Sequence, residues 1–288
     1  MKTTVKRMTV LTILSVFFLE ACSIFASALR TPKMLECAEI PLYIDSEWIG
    51  AGYVIDAVPY VPLLSFTEQL LQERCESLWN QKTGTATITI NALTLNVTAD
   101  KHYISANGRY YYLTGGAYNV NGTILVPLTA LAKIFSLGLS VDRTAWRLQI
   151  DLGNIQLPEP GEEFYDEEDL YWLSRVISAE AQGQPLEGMI GVGAVVINRV
   201  KDRSGQYENN IHDVIFQDGQ FDVVELETIF DDPVEEAVIA AKLCLEGYNT
   251  VGDSLWFVNP QKASTRWFDL NHAYVTTIAD HLFYRSRA

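Results

Sequence analysis

An acidic, proline-containing segment at residues 152–168 divides the chain into two parts whose hydrophobic patterns differ. Before it, from Ile40 to Asp151, apolar residues come in short runs rich in β-branched and aromatic side chains, which is typical of strands. After it, apolar residues recur mainly at helical spacing. Proline, glycine and acidic side chains favour a solvated linker. The sequence therefore predicts two domains, at 38–151 and 169–288, and its 288 residues, 48% of them hydrophobic, suffice for two cores.

Two stretches of the amino-terminal part resemble each other. The letters YVPL at 60–63 precede a helical pattern at 66–71, and the letters LVPL at 125–128 precede one at 130–135. A strand-like run follows the first unit, ATITI at 86–90. A repeated order of this kind indicates an internal duplication. We therefore expect a small, duplicated α+β domain that is rich in strands.

The first 28 residues have the pattern of an export signal. Three basic side chains precede an apolar stretch at 8–25, and the letters ASA at 26–28 form a small-residue cleavage site. Two alternatives remain, because Glu20 interrupts the apolar stretch and the letters LEAC resemble a lipoprotein signal with a lipidated Cys22. The other alternative is an anchor that is not cleaved. All three place most of the chain outside the cytoplasm.

The composition restricts the partners and the redox chemistry. A formal charge of −15 and a pI near 4.6 argue against nucleic acid, since phosphate binding needs an excess of basic residues. Removal of Cys22 with the signal leaves three cysteines. Cys37 and Cys75 could form a disulfide in an oxidising compartment, whereas Cys244 fits a buried thiol. No cysteine or histidine spacing suggests zinc, and we expect no metal or cofactor.

Glu180 is the most unusual polar residue of the carboxyl-terminal part. The letters DEED at 166–169 predict a helix start, and the helix should run from Asp169 to Gln182 and stop at Gly183. On a helical wheel Glu180 lies on the apolar face. A carboxylate on that face is either paired structurally or retained for chemistry. Burial raises the pKa of a carboxyl group, which is what a general acid needs at neutral pH.

Three further helices are predicted. One begins at Pro185 and is apolar on nearly all sides, with glycines at 188, 191 and 193 that would permit close approach of a neighbour. Asn198 and Arg199 at its end need partners or a cleft. The second runs from Asp232 to Gly247, and the third from about Leu270 to Tyr284, with His272 and His281 as surface or packing residues.

The carboxyl-terminal motifs resemble a known family. The stretches ISAEAQGQPLEGMIGVGAVVINRV, VIFQDGQFDVV and SLWFVNPQKASTRWF, in this order, are similar to cell wall hydrolases of the SleB type, the spore cortex-lytic enzymes. The resemblance implies a lysozyme-like α+β catalytic domain and lytic transglycosylation of peptidoglycan, with Glu180 at the position of the catalytic glutamate. Around it Ala179, Gln182 and Gln184 replace the family's glycine, arginine and second acid, while Ala181 and Gly183 are kept.

The amino-terminal part resembles another module, the amino-terminal domain of copper amine oxidases, on the evidence of its VPL stretches and following helices. The resemblance implies a wall-binding or spacer role, and a stabilising appendage without a ligand is the alternative. Amine oxidase activity is a weak hypothesis, because a copper site requires several histidines and the chain has four in total.

Aromatic and amide side chains beyond the helices suit sugar binding, since sugars offer apolar faces for stacking and hydroxyls for hydrogen bonds. The predicted substrate-binding residues are Gln184, Glu187, Asn198, Gln220, Phe221, Trp256 and Asn259. Core packing is the alternative for Trp256, and satisfaction of buried backbone is the alternative for both asparagines.

Three functions are compatible with these motifs. A lytic transglycosylase needs one carboxylate, because the substrate supplies the nucleophile. A hydrolytic muramidase normally needs a second carboxylate, for which the candidates are Glu187, Asp222, Glu225 and Glu227. A non-catalytic peptidoglycan-binding protein is the third, in view of the substitutions around Glu180.

Overall fold

A computed structural model describes residues 37–44, 47–142, 144–145 and 147–287, and for Cys37 only the backbone. The predicted signal at 1–28 and its Cys22 lie outside these residues. The described residues form nine α-helices: α1 (Leu63–Leu71), α2 (Leu128–Phe135), α3 (Gly161–Phe164), α4 (Glu167–Ala181), α5 (Leu186–Lys201), α6 (Ile211–Phe216), α7 (Asp222–Glu225), α8 (Glu235–Leu245) and α9 (Arg266–Asn271). None of these helices is both long and apolar enough to cross a membrane.

The amino-terminal part is built on two sheets. One has seven strands, in the spatial order β11 (Gly138–Asp142), β12 (Arg147–Asp151), β1 (Cys37–Ile44), β2 (Glu47–Ile55), β3 (Val58–Pro62), β10 (Thr123–Pro127) and β9 (Tyr118–Val120). The other is an antiparallel meander of β4 (Glu76–Asn80), β5 (Thr85–Ile90), β6 (Leu93–Thr98), β7 (Tyr103–Ala106) and β8 (Arg109–Tyr112). Within the first sheet β1 pairs with β12 in parallel, with Leu42 opposite Leu148.

The two similar sequence stretches form equivalent units. Strand β3 leads into α1 through Pro62, and strand β10 leads into α2 through Pro127, so each proline ends a strand and caps a helix. The two strands pair antiparallel, with Val61 opposite Val126. Apolar side chains from both units share one core. The strand–helix repeat predicted from the sequence is therefore present.

Helices α4, α5 and α8 form the centre of the carboxyl-terminal part. Helix α4 contacts α5 where Ile177 meets Gly193. A Cβ atom on Gly193 would lie 2.7 Å from Cδ1 of Ile177 and 2.8 Å from Sγ of Cys244, and one on Gly191 would lie 2.8 Å from Cζ of Phe283. The glycines of α5 thus allow the close packing that the sequence predicts.

The helix predicted from Leu270 to Tyr284 is wrong. Helix α9 ends at Asn271, and a hairpin follows, made of β14 (His272–Ile278) and β15 (His281–Ser286). Strand β13 (Trp256–Val258) pairs with β15 and completes a three-stranded sheet. Four consecutive β-branched residues at 275–278 favour an extended chain, and Ala279, at a φ of 46°, forms the turn.

Two predicted helix starts are displaced. Helix α4 begins at Glu167 and not at Asp169, because the Asp166 side chain accepts hydrogen bonds from the backbone nitrogens of Glu168 and Asp169 at 3.0 Å. Helix α8 begins at Glu235, whereas Asp232, the predicted cap, forms an ion pair with Arg175 at 3.1 Å.

The acidic segment contacts both parts of the chain. It contains α3, and Tyr165 behind this helix is buried. The Tyr165 hydroxyl lies 3.2 Å from Oε1 of Glu246, and Arg109 donates to both Glu246 oxygens at 2.7 and 2.8 Å. Lys133 of the amino-terminal part donates to the Glu246 carbonyl at 2.6 Å. A largely buried ion pair therefore joins the two parts.

The α+β class predicted from the sequence is confirmed, with a strand-rich amino-terminal part and a mainly helical carboxyl-terminal part. The cysteines differ from one expectation. Cys75 is a free thiol, contrary to the disulfide with Cys37 considered from the sequence, and Cys244 is a buried thiol.

Candidate active site

Glu180 lies in the last turn of α4, one helical turn beyond the buried side chains of Val176 and Ile177. It is partly buried, and no hydrogen bond to its carboxyl group is formed by the described residues. Burial raises the pKa of Glu180, and the nearby negative charge of Asp222 adds to the rise, while Lys262 and Arg199 oppose it. The pKa that results is about 7. A carboxyl group with this pKa is poised to give up and take back a proton near neutral pH.

The three charges around Glu180 come from three separate elements. Asp222 lies in the first turn of α7 and is exposed, Lys262 lies in the exposed loop after β13, and Arg199 is buried near the end of α5. Asp222 was predicted only as a candidate second carboxylate, and Lys262 was missed. Both residues lie inside the carboxyl-terminal motifs described from the sequence, and membership of these motifs is the feature by which they could have been predicted as site residues.

Gln184 and Glu187 make structural contacts. The Gln184 side chain donates to Asp280 Oδ2 at 3.1 Å and accepts from the Asp280 backbone nitrogen at 3.2 Å, so it holds the turn between β14 and β15. Oε1 of Glu187 accepts a 2.8 Å hydrogen bond from the Tyr112 hydroxyl and lies 3.4 Å from Nδ1 of His102. Glu187 therefore faces the amino-terminal part.

Asn198 and Asn259 also bind backbone groups. Nδ2 of Asn198 donates to the carbonyls of Gly252 and Ser254 at 2.7 and 2.9 Å. Oδ1 of Asn259 accepts from the Gln261 nitrogen at 2.9 Å, and its carbonyl accepts from the Lys262 nitrogen at 3.0 Å. This geometry fits the alternative considered for both asparagines, which is that they satisfy backbone groups. Asn259 also shapes the loop that carries Lys262.

Gln220 and Phe221 directly precede α7, next to Asp222. Gln220 is partly buried, and its backbone nitrogen donates to the Gln217 carbonyl at 3.1 Å. Phe221 is buried, and its ring lies 6.4 Å from that of Phe257. Phe221 thus directly precedes Asp222, one of the charges around Glu180.

Trp256 is partly buried within an aromatic cluster. Its ring stacks on His272 with centroids 3.8 Å apart, and the exposed Trp267 packs against the same histidine at 4.8 Å. Phe257, the next residue of β13, points to the other face of the sheet and contacts Phe221 and His281. These contacts are compatible with core packing, which was the alternative to sugar binding considered for Trp256.

No group of three or more histidine, cysteine, aspartate or glutamate side chains that could hold a metal ion occurs within the described ranges. The acid–base properties of the site come from the carboxyl group of Glu180 and from the charges that face it.

The two parts of the chain match two different family models. Residues 183–284 match the family described as Cell Wall Hydrolase, and residues 46–150 match the Copper amine oxidase N-terminal domain. Both resemblances inferred from the motifs are thus confirmed. The first match begins at Gly183, so Glu180 lies three residues before it.

Individual relatives agree with the carboxyl-terminal match. The chain is 29% identical over 119 residues to a spore cortex-lytic enzyme of Bacillus cereus, which covers 41% of this chain and 45% of that enzyme. It is 26% identical to the cell wall hydrolase CwlJ of Bacillus subtilis, over 42% of this chain and 87% of that protein. The chain thus spans less than half of the spore cortex-lytic enzyme.

A solved structure is also similar. The catalytic domain of the germination-specific lytic transglycosylase SleB from Bacillus anthracis is 28% identical, with a TM-score of 0.39, and the match covers 42% of this chain and 97% of that domain.

Proposed function

We propose that the carboxyl-terminal part is a lytic transglycosylase that cleaves the β-1,4 bond between N-acetylmuramic acid and N-acetylglucosamine in peptidoglycan. The observation that carries the proposal is the partly buried Glu180, whose pKa of about 7 suits one group acting as acid and then as base. The match to cell wall hydrolases and the names of the relatives support peptidoglycan as the substrate. Cell wall and spore cortex degradation are the proposed contexts.

The proposed reaction needs one carboxyl group and no water. Protonated Glu180 gives its proton to the oxygen that links the two sugars, the bond from that oxygen to C1 of the muramic acid breaks, and the sugar becomes oxocarbenium-like. The resulting Glu180 carboxylate removes the proton from the muramic acid O6 hydroxyl. O6 then bonds to C1 and closes a 1,6-anhydro ring, and Glu180 is protonated again.

The products test the proposal. Digests of purified spore cortex and of vegetative peptidoglycan, analysed side by side by mass spectrometry, should contain 1,6-anhydro-muramic acid ends. The Glu180→Gln variant should lose roughly 10²-fold or more in cleavage rate, the usual contribution of a general acid. Glu208→Gln, which removes an exposed carboxylate between α5 and α6, is the control and should cleave at nearly the rate of the unchanged chain.

A hydrolytic muramidase is the second candidate, and the charge of Asp222 next to Glu180 favours it. In that mechanism Asp222 would activate a water molecule or stabilise the glycosyl intermediate. Reducing muramic acid ends without any anhydro product, together with loss of cleavage in Asp222→Asn, would establish this reaction in place of transglycosylation.

A non-catalytic wall-binding protein is the third candidate. If Glu180→Gln loses cleavage while still sedimenting with insoluble peptidoglycan, this interpretation fails. The proposed substrate lies outside the cytoplasm, in agreement with the export segment predicted at 1–28.

We further propose that the amino-terminal part contacts the wall or acts as a spacer. It carries exposed Trp48 and Trp79, and aromatic rings on a surface can stack on sugar faces. Loss of sedimentation with peptidoglycan in the Trp48→Ala and Trp79→Ala variants of the full chain would support contact, and unchanged sedimentation would favour a spacer.

A further inference from the structure

Gln184 connects the end of α4 with the hairpin of β14 and β15. Its side-chain nitrogen donates a 3.1 Å hydrogen bond to Oδ2 of Asp280, and its side-chain oxygen accepts one of 3.2 Å from the Asp280 backbone nitrogen. The two residues are 96 positions apart in the sequence. Because both polar ends of one amide are used, this Gln184–Asp280 bridge fixes the orientation of the glutamine as well as its distance from the hairpin.

The segment that carries the bridge is also closed back onto the last turn of α4. The backbone nitrogen of Gln184 donates to the Ala181 carbonyl at 2.9 Å. Within this turn Gly183 has a φ of 87°, a left-handed conformation that glycine adopts without strain and that commonly ends a helix. Glu180 directly precedes Ala181, so one hydrogen-bonded turn separates its backbone from the bridge.

The hairpin is itself fixed to other elements of the carboxyl-terminal part. His281, the first residue of β15, is buried, and its ring centre lies 5.3 Å from that of Phe257. The ring of Phe257 lies 6.4 Å from that of Phe221, the residue before α7. A Cβ on Gly188 of α5 would lie 3.6 Å from Cγ2 of Ile278 at the end of β14. A bridge to this hairpin therefore sets where the end of α4 lies relative to α5 and to the segment before α7.

The bridge requires a neutral side chain at position 184. A carboxylate can only accept hydrogen bonds, so the Asp280 side chain needs a partner that donates. The amide of Gln184 supplies this donor and also the acceptor for the backbone nitrogen. A carboxylate in its place would lose the donor and put a like charge where the nitrogen now lies, 3.1 Å from Oδ2.

We infer that Gln184 is a positioning residue for Glu180, and that its bridge to Asp280 holds the last turn of α4 where the Glu180 side chain can act on the substrate. This role differs from the substrate binding predicted for Gln184 from the sequence. Its consequence for cleavage rests on the proposed function, whereas its effect on the burial of Glu180 does not. Small displacements matter here, because a misplacement of about 1 Å can cost roughly 10²-fold in rate.

The titration of Glu180 in the full chain without substrate tests the positioning directly. Carbon-13 labelling of glutamate allows the Glu180 carboxyl signal to be followed by NMR, and Glu180→Gln assigns it. Gln184→Ala releases the end of α4 and admits water, and burial is the main cause of the raised pKa. The pKa of Glu180 should therefore fall by about one unit, a part of the shift of several units that full burial can cause.

Gln182→Ala is the matched control. Gln182 is an exposed glutamine of the same turn, and its side chain forms no hydrogen bond with the residues that the structure describes. Its replacement should leave the Glu180 titration unaltered. An equally unaltered titration in a folded Gln184→Ala variant would overturn the inference.

An exchange of charge tests the bridge in the cleavage assay. Gln184→Glu should lower the cleavage rate by roughly tenfold, which corresponds to the loss of one hydrogen bond to a charged group. Asp280→Asn keeps an acceptor for the Gln184 amide and should cleave at nearly the unchanged rate. The double variant Gln184→Glu with Asp280→Asn should recover most of the loss, because the new amide can donate to the new carboxylate. A loss that persists in the double variant would contradict the bridge, since the charge at position 184 would then be its cause.

The two kinds of measurement separate the inference from the proposed function. If Gln184→Ala lowers the pKa of Glu180 but the unchanged chain cleaves no glycan, the proposed function fails and the positioning of Glu180 stands. If the chain cleaves peptidoglycan while both the titration and the rate ignore the bridge, the inference fails and the function stands. A role in stability alone would lower the urea midpoint of Gln184→Ala without moving the Glu180 titration of the folded protein.

Discussion

At the scale of the residue, the properties of Glu180 follow from two opposing influences. Burial at the end of α4 and the charge of Asp222 favour the protonated form, and the cations Lys262 and Arg199 favour the carboxylate. The balance places the pKa at about 7, which is where a group must lie to act as acid and base in one cycle.

The first prediction concerns stability. The fold raises the pKa of Glu180, so the folded chain binds this proton more tightly than the unfolded chain. The stabilisation is complete below the pKa of the unfolded carboxyl group and is lost as pH rises through about 7. Glu180→Gln cannot ionise and therefore does not lose stability in this way. Its free energy of unfolding relative to that of the unchanged chain should rise by up to about 3 kcal/mol as the pH goes from acid to mildly alkaline.

Urea unfolding at a series of pH values measures this difference. Glu225→Gln, with its exposed side chain, is the control and should show no comparable trend. A difference between Glu180→Gln and the unchanged chain that does not vary with pH would mean that the fold does not hold Glu180 in its protonated form.

The second prediction concerns Asp222, whose charge has the same sign as that of the Glu180 carboxylate. Asp222→Asn removes a negative group that raises the pKa of Glu180, so this pKa should fall. Less Glu180 is then protonated near neutral pH, and the alkaline limb of the cleavage rate should move to lower pH. The pH dependence of glycan cleavage measures the shift, and a move to higher pH would contradict the assigned influence of Asp222.

At the scale of the element, α4 and α5 approach each other closely where Ile177 meets Gly193. Gly193 allows this approach, because any larger side chain would meet Ile177 of α4 and Cys244 of α8. The glycines of α5 cost helix propensity, roughly 1 kcal/mol each, and the close packing of three helices offsets that cost.

The third prediction tests this crossing. Gly193→Ala should lower the free energy of unfolding by about 1–3 kcal/mol, the usual cost of overpacking, although alanine is the better helix former. Gly188→Ala is the control in the same helix, because its added Cβ would come no closer than 3.3 Å to a neighbour, the Cβ of Gln184, and so is less crowded than one at Gly193. Equal effects of both substitutions in urea unfolding would show that the crossing is not tightly packed at Gly193.

At the scale of the whole molecule, the ion pair between Arg109 and Glu246 joins the two parts. Its side chains are 16% and 2% exposed, and Tyr165 of the intervening segment completes the network. Tyr112 and His102 add a second contact at Glu187, at the start of α5. The amino-terminal part is thus packed on the helices that carry the candidate active site.

The fourth prediction concerns this ion pair. Arg109→Ala leaves the Glu246 carboxylate buried without its main partner, and the loss should destabilise the full chain by about 3 kcal/mol or more. Arg285→Ala, which breaks an exposed pair with Asp253, is the control and should cost less than about 1 kcal/mol. Similar costs of the two substitutions in urea unfolding would contradict the buried character of the Arg109 pair.

The sequence alone determined the features that depend on local pattern. The strand–helix repeats, the long helices of the carboxyl-terminal part and the apolar face that carries Glu180 follow from spacing, prolines and caps. The helical interpretation failed at His272–Ile278, where β-branched residues and pairing with β15 both favour a strand.

Only the tertiary structure decided which charges surround Glu180 and which predicted residues make other contacts. Asp222, Lys262 and Arg199 are distant in the sequence, and Glu187 is occupied by Tyr112 of the other part. The physical reason is that burial and electrostatic coupling depend on distances in space, which arise when separate elements pack. A helical wheel shows that Glu180 points inward, but not which charges meet it there.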